Sequence, residues 1–305
     1  MSAVNQLAPI TVIIPSYMRK ESLLNVISDL AKQSLKPKQV FIIDASPDNL
    51  QINKADVSAG INLNFLKFGF TPNASKQRNL AIREVRTPWI LFLDDDVSFD
   101  ADLIEIYTRL AESLGVDGIS GLVKLPKYEK YYSVKKTGDR LRNVRGVNYQ
   151  GADKIIDTHV ICTANFFVRT EAVKAVGGFD EQILGTIDDV DFALRLRKKG
   201  FRIIHHPLPE VLHFQKSSGA RSFGNQWALA NLFYFQYRHF EDPKKKSLLI
   251  NTLWHFCRPS RDWSSPVLVV DRAKNIINAH HEAIQRIQQG PKNLCIRENE
   301  CTSHF

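Results

Sequence analysis

Short apolar runs alternate with helical spacings along the first two-thirds of the chain. Ile10–Ile14 is a buried-strand pattern halted by Pro15. Leu23, Leu24, Val26, Ile27 and Leu30 then recur at helical intervals, and Ser34–Lys38, with Pro37, reads as a turn. Val40–Ile43 is a second strand ending at Asp44, and Ile61–Phe68 alternates as a third. Thr71-Pro72-Asn73 opens a helix running to Val85. Trp89–Leu93 is a fourth strand that runs straight into Asp94-Asp95-Asp96. A helix is expected over Asp100–Leu114, then strands over Ile119–Leu125 and Ile161–Arg169. Glu171–Val176 reads as a short helix closed by Gly177-Gly178, and Asp188–Lys199 as a helix stopped by Gly200. Phe201–Ile204 and Pro209–Phe214 are two short strands. Tyr128–Asp157 shows no period and reads as one long loop. After Phe214 the pattern is helical only, over Ser222–Phe240, Lys244–Phe256 and Pro266–Gln289, with a frayed tail behind it.

Strands that alternate with helices predict an α/β fold, a mostly parallel sheet flanked by helices. The change of pattern divides the chain into an α/β domain, residues 1–215, and a helical extension, residues 216–305. In open parallel sheets, ligands sit outside the carboxyl ends of the strands. The polar residues expected there are Ser16, Tyr17 and Arg19, then Asp44, then Asp94, Asp95 and Asp96.

Composition narrows the class without choosing a chemistry. The 305 residues are 44% hydrophobic and 24% charged, an ordinary globular balance with ample chain for a core. No window approaches the ~18 consecutive apolar residues of a membrane span, and Met1–Pro9 does not read as a secretory signal. Cys162, Cys257, Cys295 and Cys301 form no CxxC pair and read as reduced thiols, so a cytoplasmic location is expected. The net charge of +9 concentrates in Lys124–Arg145 and Lys244–Lys246. A solvated surface explains these patches, and so does an anionic substrate or a peripheral contact with the inner face of a membrane. No nucleic-acid motif accompanies the charge, so no nucleic-acid partner is expected.

Three adjacent carboxylates at a strand end repel, by ~4 kcal/mol per pair at a partly buried site. A hard divalent cation, Mg²⁺ or Mn²⁺, bridging carboxylate and phosphate oxygens would relieve this. The competing reading is an acidic turn ahead of the helix at Asp100. Asp188-Asp189-Val190-Asp191 opens a later helix. Asp191 is spaced to pair with Arg195, and acids in a first turn also suit the helix dipole. His213 ends a short strand, and a lone histidine there is more often structural than a ligand. Lys76-Gln77-Arg78-Asn79 starts a helix, where Arg78 suits a carboxylate or a phosphate. A nucleotidyltransferase would want a glycine-rich loop after the first strand, but Pro15-Ser16-Tyr17-Met18-Arg19 has no glycine. A haloacid-dehalogenase-like phosphatase would place its DxD strand first in the sheet, and a non-catalytic carbohydrate or polyanion binder on the same fold is a further alternative.

Together these segments resemble the family 2 glycosyltransferases of the GT-A fold, over about residues 10–215. Thr11–Tyr17 resembles the opening strand and nucleoside loop, and Ile42–Asp48 the segment whose first Asp contacts the base. Asn73–Asn79 resembles the helix start that borders the diphosphate, and Leu93–Asp96 the DXD metal motif. Asn165–Arg169 with Gly177–Glu181 resembles the acceptor-side strand and loop, and Asp188–Arg195 with Gly200 the block carrying the base. The resemblance implies an inverting transfer from a nucleotide-sugar donor, UDP- or dTDP-linked, to a hydroxyl of a glycan or lipid-linked glycan, in cell-surface polysaccharide or glycolipid synthesis. Asp96 and Asp94 would hold Mg²⁺ or Mn²⁺, joined by His213, and Asp95 would face the ribose. Pro15, Ser16, Tyr17, Arg19, Asp44 and Arg78 would bind the donor. Asp189 would be the base, with Asp188, Phe179 and Asp180 on the acceptor side. Asp188 stands where Glu is usual, a shorter arm. The basic Lys124–Arg145 loop is expected to order over the bound donor.

Overall fold

The structure, a computed structural model, describes residues 7–47, 52, 60–69, 71–126, 130–132, 154–158, 160–185, 187–215, 220–239 and 266–291. The expected helix Lys244–Phe256, the Lys244–Lys246 patch, most of the 124–157 segment and three of the four cysteines lie outside these residues. Cys162 is a free, half-buried thiol.

Among the described residues the chain is built on a 10-stranded mixed sheet. Its strands are β1 (Ala8–Ser16), β2 (Pro37–Asp44), β3 (Leu63–Lys67), β4 (Trp89–Leu93), β5 (Val97–Ser98), β6 (Gly118–Leu125), β7 (Lys130–Tyr132), β8 (Ile156–Asp157), β9 (Asn165–Arg169) and β10 (Ile203–His213). The helices are α1 (Lys20–Ala31), α2 (Ala74–Glu84), α3 (Leu103–Leu114), α4 (Thr170–Ala175), α5 (Asp188–Lys198), α6 (Ala220–His239) and α7 (Pro266–Gln289). The order is β3-β2-β1-β4-β9-β6-β10-β5, with β7 on β6 and β8 on β10. The first four strands are parallel, β9 runs against both its neighbours, and β6 and β10 are again parallel to each other.

Strand alternation sorts the apolar side chains onto two covered faces. Ile10, Val12, Ile14, Val40, Ile42, Leu91 and Leu93 pack with α1 and α3. Ile13, Phe41, Ile43, Ile90 and Phe92 face the other way, onto α2, α4 and α5. Each fully buried Ile, Leu or Phe contributes ~1.5–3 kcal/mol, which is why the unbroken apolar runs end up central. A smaller cluster joins α6 to α7 through Phe233, Tyr234, Ile276 and Ala283, and includes Ile183 of the main body.

Two sequence readings change. The two short strands expected at 201–214 are one strand, β10, whose register against β6 shifts between His205 and Glu210. Pro207 and Pro209 lie in that interval, where they have no ladder N–H to give and a bulge tolerates them. Asn165 Nδ2 donates to the Pro209 and Leu122 carbonyls at 3.0 and 3.1 Å, satisfying backbone inside the irregularity. The segment read as one long loop from Tyr128 also contains strand: β7 folds back antiparallel on β6, and β8 pairs with β10. Three-residue and two-residue strands are too short to show a period in sequence.

Candidate active site

The site lies at the carboxyl ends of β1, β2 and β4. The register sets Ser16 beside Asp44 and Asp44 beside Lys67, so three adjacent strands present polar side chains at one edge. Helix α2 locks this edge: Gln77 Nε2 donates to carbonyls at the ends of β1 and β2, Ser16 O at 3.0 Å and Ile43 O at 2.7 Å. Asn73 caps α2 by accepting from Lys76 N at 3.0 Å.

β4 delivers the acid triplet, and its three carboxylates part ways. Asp95 turns inward, accepting from Ser16 Oγ at 2.7 Å and Arg19 at 2.6 Å. Burial pushes its pKa up to about 6, against the pull of Arg19 and Ser16. Asp96 meets Arg19 at 3.1 Å, and His213 Nε2 lies 3.0 Å from its other oxygen. Asp94 is the most open of the three, 3.7 Å from the same imidazole nitrogen. The cause of His213's arrival is β5: the two residues after the triplet pair antiparallel with the end of β10, Val97 against His213, and Phe214 N donates to Asp96 O at 3.0 Å. Asp94, Asp96 and His213 each offer one ligand atom, all within 4.8 Å of one another. Two carboxylates and an imidazole form a donor set that fits a divalent cation.

Arg78 connects this cluster to the second acidic block. Its guanidinium, 4% exposed, holds Asp94 at 3.2 Å and Asp188 at 3.0 Å. Burial opposes its charge, and Asp188 and Asp94 more than offset that, so its pKa is raised. Asp189 follows Asp188 at the start of α5 and is gripped by Thr163, whose Oγ donates at 2.8 Å and whose N–H donates at 3.2 Å. Burial first, then the Asp188 carboxylate, pushes the Asp189 pKa up to about 7. Asp191, third in the block, faces away into the body and pairs with Arg195 at 2.8 Å, as its spacing predicts.

The remaining expected residues sit around or behind this centre. Pro15 is buried at the end of β1, and Tyr17 is half-buried beside it. Asp44 accepts from Ser46 N and Oγ at 2.9 and 2.6 Å and from Lys67 Nζ at 3.1 Å. Phe179 is fully buried, with Arg78 stacked over its ring at 5.2 Å. Asp180 is 1% exposed and engaged by Tyr234, Arg238 and the Gln182 N–H, on the side away from the acid cluster. Thr163 and Lys67 are site residues that the sequence reading missed. Thr163 interrupts the apolar run from Ile161 to Val168, which was a legible signal; nothing in the spacing marked Lys67.

The family model described as "Glycosyltransferase like family 2" matches residues 8–230. The chain belongs to that family. Among solved structures, the glycosyltransferase is similar to residues 1–349 of S. aureus TarS in complex with UDP-GlcNAc, with 15% identity and a TM-score of 0.59 over 92% of each chain. It is also similar to the mannosyltransferase PcManGT from Pyrobaculum calidifontis in complex with GDP-Man and Mn²⁺, with 18% identity and a TM-score of 0.57 over 93% of this chain and 79% of that one. These likenesses establish the GT-A fold of the glycosyltransferase. No curated protein matches it in sequence. Among the described residues, no helix is long and apolar enough to cross a membrane.

Proposed function

We propose that this glycosyltransferase moves one sugar from a nucleotide-sugar donor to an acceptor hydroxyl, with inversion at the anomeric carbon and the help of a divalent cation. The observation that carries the reading is Arg78, whose one guanidinium touches both Asp94 and Asp188. It brings the acid triplet and the α5 acids, ~90 residues apart in sequence, within reach of one small ligand.

Asp94, Asp96 and His213 would hold the cation, which when bound supplies Lewis-acid neutralisation of the departing diphosphate. An imidazole in the set favours Mn²⁺ over Mg²⁺, which prefers oxygen ligands alone. Arg19 orients Asp95 and Asp96 at once. Asp95, turned inward, fixes Ser16 and Arg19 at the edge where the ribose would lie, and Asp44 with Lys67 would border the base. UDP- and dTDP-sugars are the expected donors. The TarS and PcManGT complexes hold UDP-GlcNAc and GDP-Man, so donors of the same class fit this fold.

Asp189 is the proposed base. A single displacement needs one group to take the acceptor proton as the bond forms, and a carboxylate raised toward neutrality is suited to that. Thr163 donates to both Asp189 oxygens, which fixes the carboxylate plane and leaves a lone pair on each for the acceptor. Asp188 borders the acceptor side, while Phe179 and Asp180 support the wall behind it. The acceptor class is a glycan or lipid-linked glycan hydroxyl at the cytoplasmic face of a membrane.

The test is a thermal-shift panel of UDP-, dTDP- and GDP-sugars and the matching diphosphates, each with Mn²⁺, with Mg²⁺ and with chelator. A metal-dependent rise in melting temperature for one base, followed by release of its diphosphate on turnover, is expected. A flat panel at millimolar ligand overturns the reading.

A further inference from the structure

The acid block of α5 has a second set of partners on its far side. The segment from Asp180 to Asp191 leads into α5 and is held by the C-terminal helices at successive points. Asp180 is engaged by Tyr234 Oη at 2.6 Å and by Arg238. Gln182 Nε2 donates to the Arg286 carbonyl at 3.3 Å and to that of Gly290, and its own carbonyl accepts from Arg286 at 2.9 Å. Asn231, fully buried, brackets the Leu184 peptide, accepting from its N–H at 3.3 Å and donating to its C=O at 2.9 Å. Asp191 Oδ1 lies 2.7 Å from His239 Nε2.

One residue links this bracket to the cleft. Ile187 is the N-cap of α5 and adopts φ 59°, a left-handed conformation that a β-branched side chain resists. The two residues that follow this turn are the ones that reach the cleft, Asp188 to Arg78 at 3.0 Å and Asp189 to Thr163 at 2.8 Å. The Ile187 side chain packs against the cluster formed by Ile183, Phe233, Tyr234 and Ile276, so α6 and α7 supply the surroundings in which the strained turn persists.

We propose that the C-terminal helix pair is a positioning device for the base, with His239, Asn231 and Tyr234 as positioning residues that set the Asp188–Asp189 geometry from behind. This rests on the assignment of Asp189 as base. It gives the helical extension a role in the chemistry itself, where an acceptor-binding role would have it face the cleft. An error of ~1 Å in the base would cost up to ~10²-fold in rate without touching the donor pocket.

The experiment compares wild type with His239→Ala and His239→Gln, using the nucleotide sugar and Mn²⁺ on which the wild type turns over. Gln can place an amide nitrogen near the position of Nε2 and restore the bond to Asp191. The expected result for His239→Ala is a kcat at least ~10-fold lower, with donor KM unchanged and calorimetry still giving one diphosphate site per chain. His239→Gln should recover to within ~3-fold of wild type. A wild-type kcat in His239→Ala, or a loss confined to KM, overturns the proposal. Should His239→Ala fail to bind diphosphate, Tyr234→Phe, which deletes one hydroxyl, decides instead: a lower kcat at constant KM supports the proposal, and a wild-type kcat ends it. Asp189→Asn measured in parallel separates the two claims. An undiminished kcat there removes the base assignment, whereas a collapsed kcat there beside an intact His239→Ala removes only the positioning role.

Discussion

As the proposed base, Asp189 carries two demands that usually conflict, since a base must be ionised yet must hold a proton readily. Burial and the Asp188 charge raise its pKa, while Thr163 and Arg78 favour the charged form. Replacing it with Asn keeps the shape and removes the lone pair that takes the proton. Asp189→Asn is expected to lower kcat by ~10²–10⁴-fold with diphosphate affinity retained, read by steady-state kinetics beside calorimetry. The sign of the pH dependence follows from the same contacts. The base works only when deprotonated, so kcat/KM should climb with pH through a midpoint near 7 and then level. Asp188→Asn deletes a like charge and leaves Arg78 more fully available, so the midpoint should move to lower pH; a midpoint that rises or stays would contradict this electrostatic account. Three non-glycine residues have positive φ among those described, Met18, Ile187 and Gln215, and each lies within two positions of a site side chain, Arg19, Asp188 or His213. Backbone strain is concentrated where side chains must be aimed.

Among the elements, β10 does the most to assemble the site while showing least in sequence. Its bulge lets one strand pair with β6 along two offset registers and still deliver His213 to the acid triplet. The interior of that bend is crowded. A Cβ on Gly121 would stand 2.5 Å from both the Pro209 carbonyl oxygen and the Tyr107 hydroxyl, in the space where Tyr107 donates to Asn165 at 2.7 Å. Gly121→Ala should therefore destabilise the fold by ~1–3 kcal/mol, seen as a lower urea midpoint at constant slope. Helix boundaries were more legible. Asn73 reads as a cap and caps α2, and Asp191 reads as a partner for Arg195 and is one. Both interactions span at most four residues, which is why spacing alone reveals them. Thr163 and Lys67 act across 26 and 23 residues and were missed for that reason.

At the scale of the whole molecule, the sheet order gathers four parallel strand ends on one side and α5 on the other, with Arg78 across the middle. A ligand that touches both halves should stabilise the chain as a unit. With Mn²⁺ and its diphosphate at ~100 times Kd, the wild type should gain ~2.7 kcal/mol, visible as a higher melting temperature that chelator abolishes. Asp96→Ala should show no Mn²⁺-dependent gain, because it removes one of the clustered ligand atoms, and a full gain in that variant would take Asp96 out of the proposed cation site.

Local chemistry along the chain was sufficient to predict the α/β class, the strand ends that bear acids and the helix that opens with three more. Those features depend on periodicity and on near neighbours, which the linear order preserves. Which carboxylate turns inward to Arg19, which meets His213, and which residues brace α5 from behind were decided only by pairing between distant segments. The register of β5 on β10 and the docking of α6 and α7 against Ile183 join segments far apart in the chain, and no short window of sequence contains both sides of those contacts.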